Sequence, residues 1–177
     1  MSNLFESLIA RPLAEKMRPT RLELLVGQEH LLAPDAPLGR MLRERRASSM
    51  ILWGPPGSGK TTLAKIIAEH VNMNFEPLSA VFSGVSDLRR VFDKAIERKK
   101  IGEETLLFVD EIHRFNRAQQ DSFLPFVEDG TVVLVGATTE NPSFELNSAL
   151  LSRCKVFILE RIARAGLEHL VKRAEKL

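Results

Sequence analysis

The sequence predicts an α/β domain in which helices flank a largely parallel β-sheet. Short apolar runs that fit buried strands alternate along the chain with helical stretches, an order typical of parallel sheets with helical crossovers. The run 105–109 is apolar almost throughout, as expected for a strand that is covered on both faces. The chain of 177 residues, 44% of them hydrophobic, is long enough for one such domain with a buried core.

The elements can be placed one after another along the chain. Residues 1–16 are expected to form a loosely held N-terminal arm. The expected strands are 50–53, 74–78, 105–109, 131–137 and 155–159, which together make a five-stranded, mainly parallel sheet. The expected helices are 28–32, 37–46, 62–70, 118–127, 147–151 and 164–176, with a further charged helix that starts in the turn at 83–87 and ends near Lys100.

A complete phosphate-binding loop, G-x-x-x-x-G-K-[ST], follows the first expected strand. Its residues are Gly54-Pro55-Pro56-Gly57-Ser58-Gly59-Lys60-Thr61, and Thr62 continues into a helix. Glycines let backbone N–H groups surround phosphates at a helix N-terminus, Lys60 reaches the β and γ phosphates, and Thr61 offers a hydroxyl to Mg²⁺. A chance glycine-rich turn is the alternative, but the strand–loop–helix context disfavours it. The loop predicts that this chain binds a nucleoside triphosphate.

Two carboxylates, Asp110 and Glu111, follow the third strand at its carboxyl end, where ligands sit in open α/β sheets. Asp110 is expected to hold Mg²⁺ with Thr61, and Glu111 to orient and polarise the attacking water, because phosphoryl transfer depends on positioning and charge stabilisation. A pair of acids that caps the next helix is the alternative. Beside a phosphate loop, the pair predicts ATP hydrolysis with ATP and Mg²⁺ as the bound groups.

Thr139 and Arg153 complete the predicted catalytic set. Thr139 follows the apolar strand at 131–137, where a hydroxyl can bond the water, although Thr138 and Thr139 can equally end a strand and cap a turn. Arg153 lies between a short helix and the last strand. A lone arginine there is usually structural, but beside the other signals it fits an arginine finger that completes a neighbouring subunit's site.

Composition narrows the function classes. Cys154 is the only cysteine, which excludes an internal disulfide and a multi-cysteine metal site and fits a reducing compartment. The 4 histidines show no ligand spacing. No apolar stretch reaches the roughly 18 residues needed to span a bilayer, so we expect a cytoplasmic protein without a membrane partner. With 25 Lys and Arg against 23 Asp and Glu, any DNA contact has to come from a local patch.

The order of these elements resembles the AAA+ ATPases, a class of P-loop NTPases. The local sequence resembles, more specifically, the replication-associated recombination protein A family, which includes the Werner-helicase-interacting ATPase. The resemblance runs from about Leu13 to the C-terminus and implies that Arg18-Pro19 and Leu25-Val26-Gly27 bracket the adenine. It is carried by the segments Asp110-Glu111-Ile112-His113-Arg114-Phe115-Asn116, Asp129-Gly130-Thr131 and 136–154.

The resemblance also implies domains and partners. Relatives continue past position 177 through a helical lid and a tetramerisation domain, so residues 17–163 are expected to be the ATPase core and 164–177 the start of the lid, with the rest of the lid and the oligomerisation domain missing. The implied partners are DNA at single-stranded gaps, ends or forks, further copies of the chain in a tetramer, and a single-stranded DNA-binding protein. The implied location is the nucleoid, at replication forks.

The expected DNA contacts are Arg114, Asn116, Ser83 and Ser86, because in clamp loaders, which this core resembles, the corresponding helices track one DNA strand. Arg114 pairing with Asp121 or Glu128 is the alternative. The next basic patch is the cluster Arg43, Arg45 and Arg46.

Two other functions stay open. One is a RuvB-like Holliday-junction motor or a clamp-loader subunit, which the sequence at 110–116 argues against. The other is a nucleotide-switched binding module without turnover, against which the presence of Glu111 argues.

Overall fold

Five apolar segments form one five-stranded sheet in the order β2-β3-β4-β1-β5. The structure is a computed structural model that describes Leu13 and residues 17–176. Every strand pairing among these residues is parallel, so the predicted fold class is confirmed. The strands are β1 (Met50–Trp53), β2 (Asn74–Ser79), β3 (Thr105–Asp110), β4 (Val133–Thr138) and β5 (Lys155–Ile158).

Helices connect the strands and cover both faces of the sheet. Two short 3₁₀ helices span Leu22–Leu24 and Ile112–Arg114. No helix in the described part of the chain is long and apolar enough to cross a bilayer. The α-helices are α1 (Glu29–Leu32), α2 (Pro37–Arg43), α3 (Lys60–His70), α4 (Val85–Lys100), α5 (Arg117–Asp121), α6 (Leu124–Glu128), α7 (Pro142–Glu145), α8 (Ser148–Leu151) and α9 (Arg164–Ala174).

Two apolar layers sandwich the sheet, and β3 contributes to both. Leu107 and Val109 face the layer that contains α4, whereas Leu106 and Phe108 face the layer that contains α2 and α3. All four side chains are almost completely buried. Side chains alternate between the faces of a strand. Coverage on both faces therefore explains the uninterrupted apolar run in the sequence.

Several element boundaries differ from the sequence prediction. The helix expected at 118–127 is two helices, α5 and α6, because Pro125 lies in the first turn of α6 and has no N–H with which to continue the ladder from α5. The helix expected at 37–46 ends at Arg43, and Arg45 has a φ of 51° that no α-helix contains. The proposed N-terminal arm, residues 1–16, lies outside the described residues apart from Leu13.

Helix α7 was not expected from the sequence. Asn141 caps it, with Oδ1 accepting the Ser143 N–H at 3.0 Å. At 4 residues, it is too short to show an apolar period.

Candidate active site

The phosphate loop joins β1 to α3 at the carboxyl edge of the sheet. Its backbone is held to the neighbouring strand, because the Gly54 N–H donates to the Thr138 carbonyl at 3.1 Å. A Cβ on Gly54 would lie 2.5 Å from the Leu159 carbonyl oxygen, so only glycine fits at this close approach. Gly59 has a φ of 95°, in the left-handed region that glycine favours. The sequence therefore folds here into a tight loop ahead of a helix N-terminus.

Lys60 bends back over this loop. Its side chain donates from Nζ to the Gly54 carbonyl at 2.7 Å and to the Pro55 carbonyl at 2.9 Å, and the residue is only 8% exposed. Burial lowers the pKa of Lys60, while the nearby carboxylates of Glu111 and Asp110 act in the opposite direction. A buried ammonium that bonds only carbonyl oxygens can exchange these partners for the oxygens of an anion.

The loop has an unsatisfied polar group that fits a phosphate ligand. Ser58 is 2% exposed, and its Oγ has no hydrogen-bond partner among the described residues. A buried hydroxyl without a partner is costly. Phosphate oxygens are strong acceptors, so they would satisfy this donor. The residues present therefore fit a nucleotide on an observation that is independent of the motif.

A pocket of about 360 Å³ lies beside the loop and contains most of the residues expected to bracket adenine. Gly27 does not line the pocket but packs behind it, where an added Cβ would lie 3.3 Å from Ile162. Ile162 and Leu170, from the region after β5, were not predicted. The lining is Met17, Arg18, Pro19, Leu25, Val26, Gly57, Ser58, Gly59, Thr62, Ile162 and Leu170.

Asp110 ends β3 next to the phosphate loop, and Glu111 follows it. β3 pairs with β4 and β4 pairs with β1, so the carboxyl ends of these three strands meet at one edge. Both Asp110 and Thr61 are half-buried there, and both offer oxygen ligands of the kind that Mg²⁺ prefers. Glu111 has a φ of 52°, an uncommon conformation for a side chain other than glycine, asparagine or aspartate. The chain therefore turns sharply away from β3 at Glu111, the residue whose carboxylate is expected to be catalytic.

The Glu111 carboxylate contacts two neighbours. Thr139 Oγ1 donates to Glu111 Oε2 over 3.5 Å, a long hydrogen bond, and His113 Nδ1 lies 3.3 Å from the same oxygen. His113 Nδ1 also lies 2.9 Å from Thr138 Oγ1. The structure therefore brings the predicted Thr139 to Glu111. It adds His113, which the sequence analysis considered only as a metal ligand and set aside.

Arg153 lies near the amino ends of the strands, whereas its own phosphate loop lies at their carboxyl ends. Lys155, two residues on, pairs with Met50 at the start of β1, whereas the loop follows Trp53 at the end of β1. Three residue steps of a strand separate the two positions, which is about 10 Å. The Arg153 guanidinium pairs with the Glu128 carboxylate and donates to the Ala149 carbonyl at 2.7 Å. The structure thus does not bring Arg153 to the other candidate catalytic residues of the same chain.

The expected DNA contacts are on two adjacent segments. Of the four expected contacts only Asn116 lines the groove of about 430 Å³ between α4 and α5, where Val85 represents the other segment, whereas Ser83, Ser86 and Arg114 do not line it. Asn116 also caps α5, with Oδ1 accepting the Gln119 N–H at 2.9 Å.

Arg114 does not form the ion pairs considered as its alternative. Glu128 is paired with Arg153, and Asp121 accepts a hydrogen bond from Asn147 Nδ2 at 2.6 Å. Arg114 is exposed and has no ion pair with any described residue.

Comparison with known proteins gives the family. Residues 50–161 match the ATPase family associated with various cellular activities (AAA). The chain is 51% identical over 177 residues to replication-associated recombination protein A of Escherichia coli K12, covering 98% of this chain and 40% of that protein. It is 54% identical over 162 residues to ATPase WRNIP1 of Dictyostelium discoideum, covering 92% of this chain and 18% of that protein.

Solved structures agree on the fold. The Holliday junction branch migration motor RuvB of Thermotoga maritima superimposes with a TM-score of 0.73 at 33% identity, covering 90% of this chain and 54% of that one. The chain therefore spans at most about half the length of the relatives compared here. The phosphate loop, the carboxylates after β3 and these matches agree, and the chain belongs to the AAA family of ATPases, in the branch that contains replication-associated recombination protein A.

Proposed function

We propose that this chain is the ATP-hydrolysing core of a replication-associated recombination protein that acts on DNA gaps, ends or forks. The observation that carries the proposal is the meeting of buried Lys60 with the Asp110 and Glu111 carboxylates at the phosphate loop. This arrangement combines a cation for the phosphates with acids for a metal and a water molecule. The resemblance to the recombination proteins of several organisms supports the cellular role.

The chemistry follows from the chain's own groups. The loop N–H groups and Ser58 Oγ bind phosphate oxygens, and Lys60 exchanges the Gly54 and Pro55 carbonyls for the β and γ phosphates. Thr61 and Asp110 would hold Mg²⁺, which would supply positive charge against the phosphates when bound. Glu111, which is contacted by Thr139, orients and polarises the water that attacks the γ phosphorus.

Arg153 acts on the ATP of another copy of the chain. Its location about 10 Å along the sheet from its own loop makes action within one chain unfavourable. Its side chain is 38% exposed, so a neighbour can reach it. This role requires a homo-oligomer, and the family resemblance favours a tetramer.

DNA is contacted by Arg114, Asn116, Ser83 and Ser86. The support is the exposure of Arg114, its lack of an ion pair among the described residues, and the adjacency of the two segments around one groove. A single-stranded DNA-binding protein as partner, and a location in the cytoplasm at the nucleoid, rest on the family resemblance.

Two variants, Lys60→Ala and Glu111→Gln, test nucleotide binding and ATP hydrolysis separately. We expect Lys60→Ala to weaken ATP binding by about 10²-fold or more, because two or more charge-assisted bonds are lost. Glu111→Gln should bind ATP within about twofold of wild type and lose hydrolysis, because Glu111 acts only on the water. The measurements are calorimetric titration with ATP and Mg²⁺ and single-turnover hydrolysis.

Lys65→Ala is the matched control, since Lys65 is on the same helix and its Nζ lies 6.0 Å from the Phe75 ring centroid, away from the loop. Equal ATP affinity of wild type and Lys60→Ala would overturn the assignment. If wild type and Glu111→Gln bind ATP and neither hydrolyses it in an assembled form, the chain is a nucleotide-switched module.

A RuvB-like junction motor is the second candidate, and the structural similarity to RuvB favours it. Hydrolysis that rises more with four-way junctions than with forks, gaps or ends of equal length would identify this function instead.

A further inference from the structure

Gln28 is a buried glutamine whose side chain bonds only backbone groups. It is 1% exposed and lies immediately before α1. Its Nε2 donates to the Ser58 carbonyl at 3.1 Å and to the Glu160 carbonyl at 2.8 Å, and its Oε1 accepts the Glu160 N–H at 3.1 Å. Both Nε2 hydrogens are therefore used, and the orientation of the amide is fixed from both ends.

These bonds join segments that are far apart in the chain. Ser58 is 30 residues and Glu160 is 132 residues from Gln28. Ser58 belongs to the phosphate loop and lines the pocket, and Glu160 lies two residues before Ile162, which also lines it. The amide thus joins two segments that form parts of the wall of the candidate nucleotide pocket, without lining the pocket itself.

Neighbouring contacts make this connection stiff. Gly27 packs against Ile162 so closely that an added Cβ would lie 3.3 Å from it, and a Cβ on Gly166 would lie 2.7 Å from Val26. The segment that holds Gln28 is therefore packed against the chain after β5 as well as bonded to it. Removing the amide would leave backbone groups of Ser58 and Glu160 without these partners in a buried place.

We propose that Gln28 is a positioning residue for nucleotide binding: it holds the phosphate loop and the Glu160–Ile162 wall at a fixed separation, so that the phosphates and the base of one nucleotide are bound together. The proposal rests on the proposed function, because it presumes that a nucleotide occupies this pocket. Gln28 does not touch the ligand, and its effect is transmitted through the backbone of Ser58 and Glu160.

Gln120 offers a matched control within the same chain. It is 2% exposed and makes the same kinds of bonds, donating to the Phe115 and Glu145 carbonyls at 2.9 and 3.1 Å and accepting the Asn147 N–H at 2.8 Å. None of these partners lines the nucleotide pocket. A methionine at either position keeps the approximate volume and removes every bond of the amide.

The decisive quantity is the ratio of two dissociation constants, that of inorganic triphosphate to that of ATP. This ratio measures how much the adenosine part adds to binding, and it cancels a general loss of folded protein. We expect Gln28→Met to lower the ratio by about tenfold and Gln120→Met to change it by less than about twofold, even where both variants lower Tm similarly. An unchanged ratio in Gln28→Met would overturn the positioning role.

A second measurement uses the wild-type chain alone and does not depend on whether a variant folds. We expect ATP to slow hydrogen exchange of the Glu160 amide severalfold, and to leave the Asn147 amide, its counterpart at Gln120, unchanged. Equal effects of ATP on the two amides would count against the proposal. If wild type binds neither ATP nor triphosphate, the proposed function itself fails. If wild type binds both ligands and Gln28→Met leaves the ratio of dissociation constants unchanged, only the role of Gln28 is ruled out.

Discussion

Lys60 and Arg153, the two cations of the predicted catalytic set, are held in opposite ways. Lys60 is 8% exposed and bonds carbonyl oxygens of its own loop. The Arg153 side chain is 38% exposed and pairs with Glu128, whose side chain is 50% exposed. One cation is therefore desolvated and folded onto its own loop, whereas the other is at the surface.

The difference shows what each location permits. A buried ammonium with only neutral partners interacts strongly with an incoming anion, because little water screens the charge. An exposed ion pair contributes only about 0–1 kcal/mol, so Arg153 can leave Glu128 at small cost when a stronger anion arrives. We interpret Lys60 as a group that acts within its chain and Arg153 as a group that acts between chains.

The largest expected effect tests Arg153 directly. Arg153→Ala should bind ATP normally and hydrolyse it more slowly by a factor on the order of 10³ in an assembled form of the protein, because the charge that develops on the phosphates is no longer stabilised. Steady-state hydrolysis measures this effect.

Mixing variants distinguishes action between chains from action within one. Arg153→Ala combined with Glu111→Gln should recover partial activity, since each supplies what its neighbour lacks. If no mixing ratio of the two variants recovers hydrolysis, the contrast between Lys60 and Arg153 fails, because Arg153 would then act within its chain or only structurally.

The next effect extends the comparison to Arg114, an exposed cation without an ion pair among the described residues. Arg114→Ala should weaken DNA binding about equally across sequences and lower the slope of log K against log salt by roughly one per contact. Binding titrations at several salt concentrations measure the slope, with Arg90→Ala, which removes an exposed cation paired with Asp87 at 3.1 Å, as control. Loss of DNA-free hydrolysis with an unchanged slope would instead place Arg114 in the catalytic arrangement.

The smallest effect concerns Cys154, which follows Arg153. Burial raises the pKa of Cys154 from 9.0 to about 12. Since the folded value is above the unfolded one, the neutral thiol contributes stability fully below pH 9, and this contribution is lost as the pH rises towards 12. Thiol-reactive reagents should therefore label the folded chain slowly at neutral pH.

Denaturant unfolding at increasing pH, compared with Cys154→Ala, measures the stability effect. A folded thiol that reacts as fast as one in the unfolded chain would show that the segment around Arg153 opens readily. That result would weaken the comparison of Lys60 with Arg153, because solvent would then reach the Cys154 thiol as well as the Arg153 side chain.

The parts of this molecule that sequence predicts well are those with local signals. The five strands, the phosphate loop and the acids after β3 each have a pattern contained in a few residues. Pro125 was also a local signal, but the apolar spacing on both sides of it hid the break between α5 and α6. Family membership could be inferred because the segments at 110–116 and 136–154 are long and specific.

The missed residues depend on distant partners. The Gln28 amide bonds Glu160, 132 residues away, and His113 contacts Thr138, 25 residues away. Ile162 and Leu170 line the pocket only because the chain after β5 returns to the phosphate loop. No periodicity or spacing within one element contains such information, since tertiary contacts alone create it.

Trp53, the last residue of β1, stands immediately before Gly54 and pairs in register with Thr138 and Ile158. The chain has 1 tryptophan and 0 tyrosines, so its near-ultraviolet emission comes almost entirely from this indole. The Trp53 carbonyl accepts the Leu159 N–H at 2.7 Å, which connects the backbone of Trp53 to the segment that leads into Glu160. The protein thus has a natural optical probe at the junction between its sheet and its phosphate loop, and it can be followed without a dye or an introduced label.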